Sequence, residues 1–447
     1  MDEYVVLPHK KKKLTSFQII ILGFLCVILL GTVFLMLPVS NREGTVTPFL
    51  DALFTSTSAV CVTGLVLHDT ATYWSAFGQV VILFLIQIGG LGVITVAASF
   101  AMISGRKISL MQRSTMQEAI AAPKVGGIVR LTNFIIKTTL AIELLGTIIM
   151  VPVFCRDFGV KGLWMALFHS VSAFCNAGFD LMGSREVFSS LTSYASQPVI
   201  NLIIMALIVI GGIGFLTWDD FRSNKWHWHK YRMQSKVILC TTAVLLIVPA
   251  IYFYFFEFSA LRPDKRILCS LFQSVTPRTA GFNTADLTSL RESGQTVIIL
   301  LMLIGGSPGS TAGGMKTTTI AVLFATALST FRRKEYTHFF GRRIDDGMVK
   351  NAATIGVLYI VLFFFGGLTI SMAEGLPMLT CLFEAASAVG TVGLSLGITP
   401  GLGILSRVIL ILLMFFGRVG GLTLIFAALS GTQKQAAKLP LEKITVG

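Results

Sequence analysis

Four stretches of the sequence place glycine where a chain can bind a bare cation through its backbone. Each stretch starts with Leu-Phe and reaches a glycine nine or ten residues after the phenylalanine, and a serine or threonine follows each phenylalanine by four residues. Carbonyl oxygens that replace the water around an ion must point the same way, which requires backbone angles that glycine tolerates. The four stretches are Leu53–Leu65, Leu167–Phe179, Leu271–Phe282 and Leu382–Leu394.

The residues just before these glycines favour a monovalent ion. None of the three residues preceding each glycine is a carboxylate, and Arg278 is the one charged residue among them. Divalent cations usually require carboxylate ligands, whereas the negative end of a short helix dipole suits any cation. Any one of the glycines alone would more simply be a turn or a packing contact. Four copies in register instead predict a shared constriction for a desolvated monovalent cation.

The composition identifies an integral membrane protein. The chain is 54% hydrophobic with a mean hydropathy of +0.78, and 13% of it is charged, against about a quarter in soluble domains. The net charge is +14, but 23 of the 36 Lys and Arg lie in the stretch 10–13, in three alternate loops and in the C-terminal tail. By the positive-inside rule, both termini and these loops are cytoplasmic, so no nucleic-acid partner is needed to explain the charge.

The apolar segments predict an all-α polytopic membrane protein built from four repeated units. Each unit consists of a span, a re-entrant half-helix too short to cross the membrane, a glycine loop and a second span, which gives eight spans and four half-helices around one pseudo-four-fold pore. The first span, Ser16–Pro38, is too long for a signal peptide and lacks a small-residue cleavage site. The boundaries are a cytoplasmic N-terminus at 1–15 and pore units at 16–110, 111–222, 223–335 and 336–447, the last with a cytoplasmic tail.

The half-helices and paired spans have predicted bounds. The half-helices are Pro48–Val60, Gly162–Phe174, Lys265–Val275 and Pro377–Val389. The spans are Ser16–Pro38, Ser75–Ile103, Val129–Phe154, Pro198–Trp218, Lys236–Phe256, Thr296–Thr330, Met348–Met372 and Leu402–Leu429.

A glycine-rich break interrupts the last span of the third unit and is a candidate gate. Glycine and proline at this density end a helix, and the break follows the third glycine loop, where a mobile loop could block the path. A simple kinked helix is the alternative. Its glycine spacing resembles a phosphate-binding loop, but the lysine comes one residue late and no strand leads in. The candidate gate residues are Gly305, Gly306, Ser307, Gly309, Gly313, Gly314 and Lys316.

Charged residues at membrane depth are further candidates. Arg418 lies in the middle of the last span, where an ionisable residue is costly and is by default a functional hypothesis; the alternative is a helix-end arginine reaching the interface. Lys316 is either part of the gate or a cytoplasmic anchor. Arg278 is expected to hold the third loop in place.

Five polar residues near the glycine loops have weaker assignments. Asp69 and Asp180 follow two of the loops and either concentrate cations at the mouth or are ordinary loop residues. His169 is expected to be a packed polar residue, and Glu143 and Glu384 are membrane-depth carboxylates without assigned partners.

The repeats, the run Thr276-Pro277-Arg278-Thr279-Ala280-Gly281-Phe282 and the pair Gly417-Arg418 resemble the Trk/Ktr/HKT superfamily of potassium transporters, most of all the Ktr-type membrane subunit. The resemblance covers essentially the whole chain. It implies a potassium filter, with Gly64 where plant relatives that conduct sodium have serine, and a gate that pairs the glycine-rich loop with Arg418 in the pore. The implied filter residues are Thr63, Gly64, Asn176, Gly178, Thr279, Gly281, Thr391 and Gly393.

The resemblance also implies partners. Ktr-type systems use a separate cytosolic RCK (KTN) subunit, which forms a ring and binds ATP, ADP or a dinucleotide. The resemblance also implies that the membrane subunit itself is a homodimer with one pore per protomer. The docking surface for the cytosolic subunit is expected at the loops Arg222–Lys236 and Arg332–Lys350. Membrane lipid is the remaining partner. K⁺ is the expected transported ion, and Na⁺ stays open as a coupled or activating ion.

Rival functions fit the sequence less well. An alternating-access carrier usually has two inverted repeats and paired charges at a midplane site. An enzyme would need a nucleophile–base set or a metal cluster, and a structural scaffold would not need four buried glycine loops. Seven scattered cysteines without a Cys-x-x-Cys pair predict neither a disulfide framework nor a zinc site. We therefore expect no enzyme activity and no bound cofactor.

Overall fold

The computed structural model describes residues 14–104, 108–122, 124, 126–421 and 423. Sixteen α-helices and one two-stranded antiparallel hairpin, β1 (His338–Phe339) and β2 (Arg342–Arg343), are found in these ranges. The helices are α1 (Ser16–Met36), α2 (Phe49–Val60), α3 (Ala76–Leu91), α4 (Val93–Ile103), α5 (Leu110–Ile120), α6 (Ile128–Phe158), α7 (Lys161–Phe174), α8 (Pro198–Gly212), α9 (Phe215–Asn224), α10 (Met233–Tyr252), α11 (Pro263–Val275), α12 (Glu292–Leu303), α13 (Thr317–Phe331), α14 (Asp346–Glu374), α15 (Met378–Gly390) and α16 (Ile404–Val419).

Four helices in the described ranges are long and apolar enough to cross a membrane on their own. They are α1, α6, α14 and α10, the last extended by a π-helical turn to Glu257. Two further pairs, α3 with α4 and α8 with α9, pass the same test together but bend by 95° at a short break. A mostly helical, multi-pass membrane protein is therefore confirmed, whereas the predicted count of eight spans stays a prediction.

The predicted second spans of the first two units are bent. The apolar runs Ser75–Ile103 and Pro198–Trp218 each turn sharply, because a glycine with positive φ and extended ψ lies at the break between their two helices: Gly92 has φ 86° and ψ 131°, and Gly214 has φ 92° and ψ 142°. Side chains resist this backbone conformation, whereas glycine adopts it readily. The hydropathy of these two runs does not indicate the bend.

Four short helices lie where half-helices were predicted. α2 packs between α1 and α3, α7 between α6 and α8, and α15 between α14 and α16, while α11 packs against α10 and α8. The phenylalanine of each motif is fully buried on its short helix: Phe54, Phe168, Phe272 and Phe383. These aromatic side chains fix the short helices against their neighbours through buried apolar area.

Part of the predicted organisation lies outside the described residues. This holds for Lys10–Lys13, most of the N-terminal segment 1–15, and the C-terminal tail, and the predicted last span Leu402–Leu429 is described only to residue 421 and at 423. The Arg332–Lys350 loop contains the hairpin β1–β2, which the sequence did not predict.

Candidate functional site

The loops after the four short helices share one backbone conformation. Every motif glycine has a positive φ, between 71° and 93°: Gly64, Gly178, Gly281 and Gly393. The residue two positions earlier is also left-handed in each loop, with φ between 50° and 69°: Val62, Asn176, Thr279 and Thr391. Three of these four are β-branched, which makes this conformation uncommon for them. Its repetition in all four copies shows that the loops are built on one plan.

The four loops touch one another in a closed cycle. A Cβ added to Gly64 would stand 2.5 Å from the carbonyl oxygen of Ala177 in the second loop, and one added to Gly178 would stand 2.8 Å from that of Ala280 in the third. A Cβ on Gly281 would meet the carbonyl oxygen of Val392 in the fourth loop. One on Gly393 would meet that of Thr63, which returns to the first loop. The loops therefore form a ring, and each glycine leaves no room for a side chain.

The serine or threonine of each motif holds its loop in place. Its carbonyl accepts the N–H of the residue before the glycine, at 2.8 Å in three loops and 3.0 Å in the third. The hydroxyls of Ser58 and Ser387 accept the N–H of Gly64 at 3.1 Å and of Gly393 at 3.0 Å. The other two hydroxyls donate to the carbonyl after the glycine, from Ser172 to Phe179 at 2.7 Å and from Thr276 to Phe282 at 2.5 Å.

The predicted polar residues before the glycines are not all equivalent. Asn176, Thr279 and Thr391 share the left-handed position, but in the first loop Val62 occupies it and Thr63 comes one residue later. The Asn176 side-chain amide is best oriented with its nitrogen donating to the carbonyls of Ala173 and Ile208. Its amide oxygen then lies 3.3 Å from the Thr279 hydroxyl. Among the described residues, the hydroxyls of Thr63 and Thr391 are buried and have no hydrogen-bond partner.

One cavity opens directly on the ring. Its volume is about 160 Å³, and its lining includes all four motif glycines together with Asp69, Asp180, Ser395 and Thr399. Two carboxylates were predicted to concentrate cations at this mouth, and both oxygens of Asp69 accept hydrogen bonds from the protein. Oδ1 accepts the N–H groups of Ala71 and Thr72 and the Thr72 hydroxyl, and Oδ2 accepts the N–H of Phe188.

Asp180 is the freer of these two carboxylates. It lies in the loop after α7, outside the membrane-spanning helices, and its Oδ1 accepts the N–H of Met182 at 2.9 Å. Burial raises the pKa of Asp180 to about 7, and the nearby Asp69 carboxylate acts in the same direction. A cation at the mouth would favour the ionised form of Asp180.

The glycine-rich segment 305–316 crosses beneath the ring and contacts the other units. The N–H groups of Ser307 and Thr311 donate to the carbonyls of Gly212 and Gly211 at the end of α8, at 2.9 and 3.2 Å. The Thr311 hydroxyl donates to the carbonyl of Phe174 at the end of α7, at 3.0 Å. The N–H of Gly314 donates to the carbonyl of Gly417 on α16, at 3.1 Å.

The segment also borders two spaces. Gly313 lies against the Thr391 side chain on the ring side. Other residues of the segment line a second, inner cavity of about 340 Å³, whose walls include Pro308, Ser310, Met315 and Arg418. The segment therefore borders both the glycine ring and this inner cavity.

Arg418 ties the segment to the first unit. Its guanidinium donates to the carbonyl oxygens of Thr311 in the segment and of Gly89 and Gly90 at the end of α3. No carboxylate of the described residues forms an ion pair with it. The charge is thus met by carbonyls, including those at the negative end of a helix dipole.

The other two basic side chains considered, Lys316 and Arg278, bond to the protein near their own loops. Lys316 Nζ donates to the carbonyls of Ala312 at 2.8 Å and Gly313 at 3.4 Å, so it ties the segment to itself. Arg278 is 6% exposed and reaches back to the Thr242 hydroxyl on α10, at 3.4 Å. Neither side chain is placed in the ring.

The structure shows a second repeat that the sequence analysis missed. The helix behind three of the loops ends with a glycine packed on the last carbonyls of the neighbouring short helix: Gly89 on Val60, Gly211 on Phe174 and Gly417 on Val389. A further glycine with positive φ follows three residues later in each copy: Gly92, Gly214 and Gly420. The Gly-x-x-Gly spacing was legible in the sequence. Arg418 takes the place that Gly90 and Gly212 hold in the other two copies.

The remaining polar residues lie behind the loops. The Glu143 carboxylate accepts from Gln87 Nε2 at 3.3 Å and faces the Cys175 thiol next to Asn176. His169 Nε2 accepts the N–H of Leu181 at 3.4 Å, while Nδ1 lies 2.7 Å from the Met165 carbonyl. His169 is therefore a packed polar residue, as expected.

Comparisons with known proteins agree with one another. A family of cation transport proteins, TrkH, matches residues 9–436. The potassium/sodium uptake protein NtpJ of Enterococcus hirae is 39% identical over 98% of both chains, and the Ktr system potassium uptake protein B of Bacillus subtilis is 37% identical over 97% of both. The crystal structure of the potassium transporter TrkH from Vibrio parahaemolyticus has a TM-score of 0.73 at 22% identity, covering 94% of this chain and 86% of that one.

Proposed function

The chain belongs to the TrkH family of cation transport proteins, and we propose that it is the potassium-conducting membrane subunit of an uptake system. Membership of a transporter family confirms the prediction that the protein is not an enzyme. Potassium is supported by the names of the two similar proteins, which are both potassium uptake proteins; one of them also takes up sodium, so Na⁺ is the ion to test beside K⁺.

The proposed architecture is the predicted one, with four span–half-helix–span units around one pore. The observation that carries this proposal is the closed cycle of contacts among the four glycine loops. Non-helical backbone at membrane depth is tolerated only where protein or a water-filled path surrounds it. Four such segments that meet at one point, with a cavity on their outer side, fit a permeation path. They fit an alternating-access carrier, an enzyme or a structural scaffold less well.

The ring is the proposed selectivity filter. Backbone carbonyls next to Gly64, Gly178, Gly281 and Gly393 would take the place of the ion's water, and the unpartnered hydroxyls of Thr63 and Thr391 would add oxygens at its edges. The helix-terminal dipoles of α2, α7, α11 and α15 end at the loops and favour a cation there.

The segment 305–316 with Arg418 is the proposed gate. In the present conformation it is fastened to α8, α7 and α16 and, through Arg418, to α3, and it borders both the ring and the inner cavity. Ions would therefore pass only after these hydrogen bonds break. Influx is driven by the membrane potential, at about 2.3 kcal/mol per charge for each 100 mV.

Regulation by a separate subunit is part of the proposal. One similar protein is described as a component of a Ktr system, which supports a partner such as a cytosolic RCK (KTN) ring. The basic loops 222–236 and 332–350 are the proposed docking surface, with both termini on the same cytoplasmic side, and the assembly is a homodimer with one pore per protomer.

Ion flux tests the proposal. The chain, expressed with a suitable cytosolic partner in bacteria lacking their own potassium uptake, should restore growth at low external potassium and take up ⁸⁶Rb⁺. Gly64→Ser should keep the protein in the membrane and lower the preference for K⁺ over Na⁺, whereas Gly126→Ser, at a loop glycine with open space around it and no positive φ, should leave it unchanged. Absence of flux from well-expressed wild-type protein with its partner would refute the proposal.

A further inference from the structure

The residue after the motif phenylalanine is polar and buried on every short helix, but only one copy carries a negative charge. The four residues are Thr55, His169, Gln273 and Glu384, and none is more than 2% exposed. The quasi-equivalent loops are thus asymmetric in one respect. A carboxylate stands behind the fourth loop, while neutral groups or a histidine occupy the other three positions.

Hydroxyl groups connect Glu384 to the mouth of the ring. The hydroxyl of Ser395 donates to Oε1, and that of Thr399 lies 3.0 Å from Oε2 and 3.0 Å from the Ser395 hydroxyl. Ser395 is the second residue after Gly393, and both hydroxyl residues line the cavity that opens on all four motif glycines. The side chain of Glu384 itself does not line that cavity.

Glu384 has no ion-pair partner among the described residues. Across the described part of the chain, no lysine, arginine or histidine forms an ion pair with it; the nearest arginine in sequence, Arg407, pairs with Asp51 instead. The groups facing the carboxylate are donors, which suits the ionised form. A buried charge that is hydrogen-bonded but unpaired is normally matched by a charge nearby, and a cation in the mouth would provide it.

We propose that Ser395 and Thr399 form an outer binding site for a monovalent cation, and that Glu384 behind them gives the site its affinity. The inference rests on the proposed function, because the ion it serves is the one entering the ring. Each hydroxyl donates its hydrogen to the carboxylate behind it, so its oxygen is turned towards the cavity. The Ser395 oxygen accepts the N–H of Gly397 at 2.9 Å and keeps one lone pair for the ion, while the Thr399 oxygen keeps both. Glu384 is a positioning residue, since it acts through the two hydroxyls.

The test compares transport kinetics of ⁸⁶Rb⁺ in proteoliposomes containing the full chain and its partner. Glu384→Gln keeps the shape and loses the charge, so it should raise the KM for Rb⁺ roughly tenfold, about 1.4 kcal/mol, while the maximal rate changes little. Glu384→Asp should restore a KM near that of the wild type. The double change Ser395→Ala with Thr399→Val should raise the KM in the same direction with the carboxylate still present.

Glu374→Gln is the matched control. Glu374 also accepts a serine hydroxyl, from Ser406 at 2.5 Å, together with the N–H of Gly403, but it lies away from the mouth cavity. This control should leave the KM unchanged. An unaltered KM in both Glu384→Gln and the double variant would overturn the inference while wild-type flux still supported the proposed function. A fall in maximal rate alone, equal in the control, would overturn it as well.

Discussion

Replacing Arg418 with glutamine should open the proposed gate. In the structure the guanidinium is fastened on one side to the Thr311 carbonyl of the gate loop and on the other to the carbonyls of Gly89 and Gly90. A hydrogen bond to a charged group contributes about 1.5–3 kcal/mol. Of the bonds that Arg418 makes, only the one to Thr311 holds the loop, so its loss shifts the balance towards the open loop by about 10- to 150-fold.

The assay is ⁸⁶Rb⁺ influx into proteoliposomes at a fixed membrane potential, without the activating partner. Basal influx of the glutamine variant should rise until the ring becomes limiting. Arg407→Gln is the control, because Arg407 lies on the same helix but pairs with Asp51 and is remote from the loop. Arg418→Lys separates two explanations: it keeps the charge but cannot hold three carbonyls in fixed directions.

If Arg418 acts as a tether, the lysine variant should also leak. If it acts only by repelling cations, the lysine variant should behave like the wild type. Basal influx that is unchanged or lower in a well-expressed Arg418→Gln variant would refute the reasoning.

Three further perturbations follow from the same contacts. Thr311→Val removes the single hydroxyl bond to the Phe174 carbonyl, so basal ⁸⁶Rb⁺ influx should rise by a few-fold, less than in Arg418→Gln, since a neutral bond contributes about 0.5–1.5 kcal/mol; unchanged influx would speak against this contact. Gly178→Ala places a methyl 2.8 Å from the Ala280 carbonyl at φ 71°, so potassium-dependent growth should be lost although the protein still reaches the membrane; normal growth would contradict the ring geometry. Ser387→Ala leaves the N–H of Gly393 without its acceptor and should lower the K⁺/Na⁺ permeability ratio, measured from competition by Na⁺, whereas Ser371→Ala, whose hydroxyl bonds the Leu376 carbonyl away from the ring, should not.

The short helices were predictable because their sequence signal is local. A buried phenylalanine, a serine or threonine one turn later and a terminal glycine recur at nearly fixed spacing, and the structure places helices within two residues of all predicted half-helix bounds. The bonds from the motif hydroxyls to the loops explain the spacing, because each hydroxyl lies six or seven residues before the backbone group that it bonds.

Contacts between units were not predictable from one copy of the motif. The contacts within the ring, those of segment 305–316 with α7 and α8, and the bond from Arg418 to Gly89 join residues roughly a hundred or more positions apart. Hydropathy carries no information about such contacts. The left-handed position of Val62 was missed for a different reason. A β-branched residue in this region contradicts local preference, and tertiary contacts impose it.

The contacts of Asp69 and Glu384 were not predictable for a related reason. Sequence position placed Asp69 at the mouth, but its oxygens are taken by neighbouring N–H groups. Glu384 had no assignable partner until folding brought Ser395 and Thr399 to it.

The most direct test of the central claim is to locate the ion. Crystals of the protein grown with Rb⁺ should give an anomalous difference peak on the axis enclosed by Gly64, Gly178, Gly281 and Gly393, within coordination distance of carbonyl oxygens from all four loops. A map with ordered Rb⁺ elsewhere and none inside the ring would contradict the claim that these loops form the permeation path.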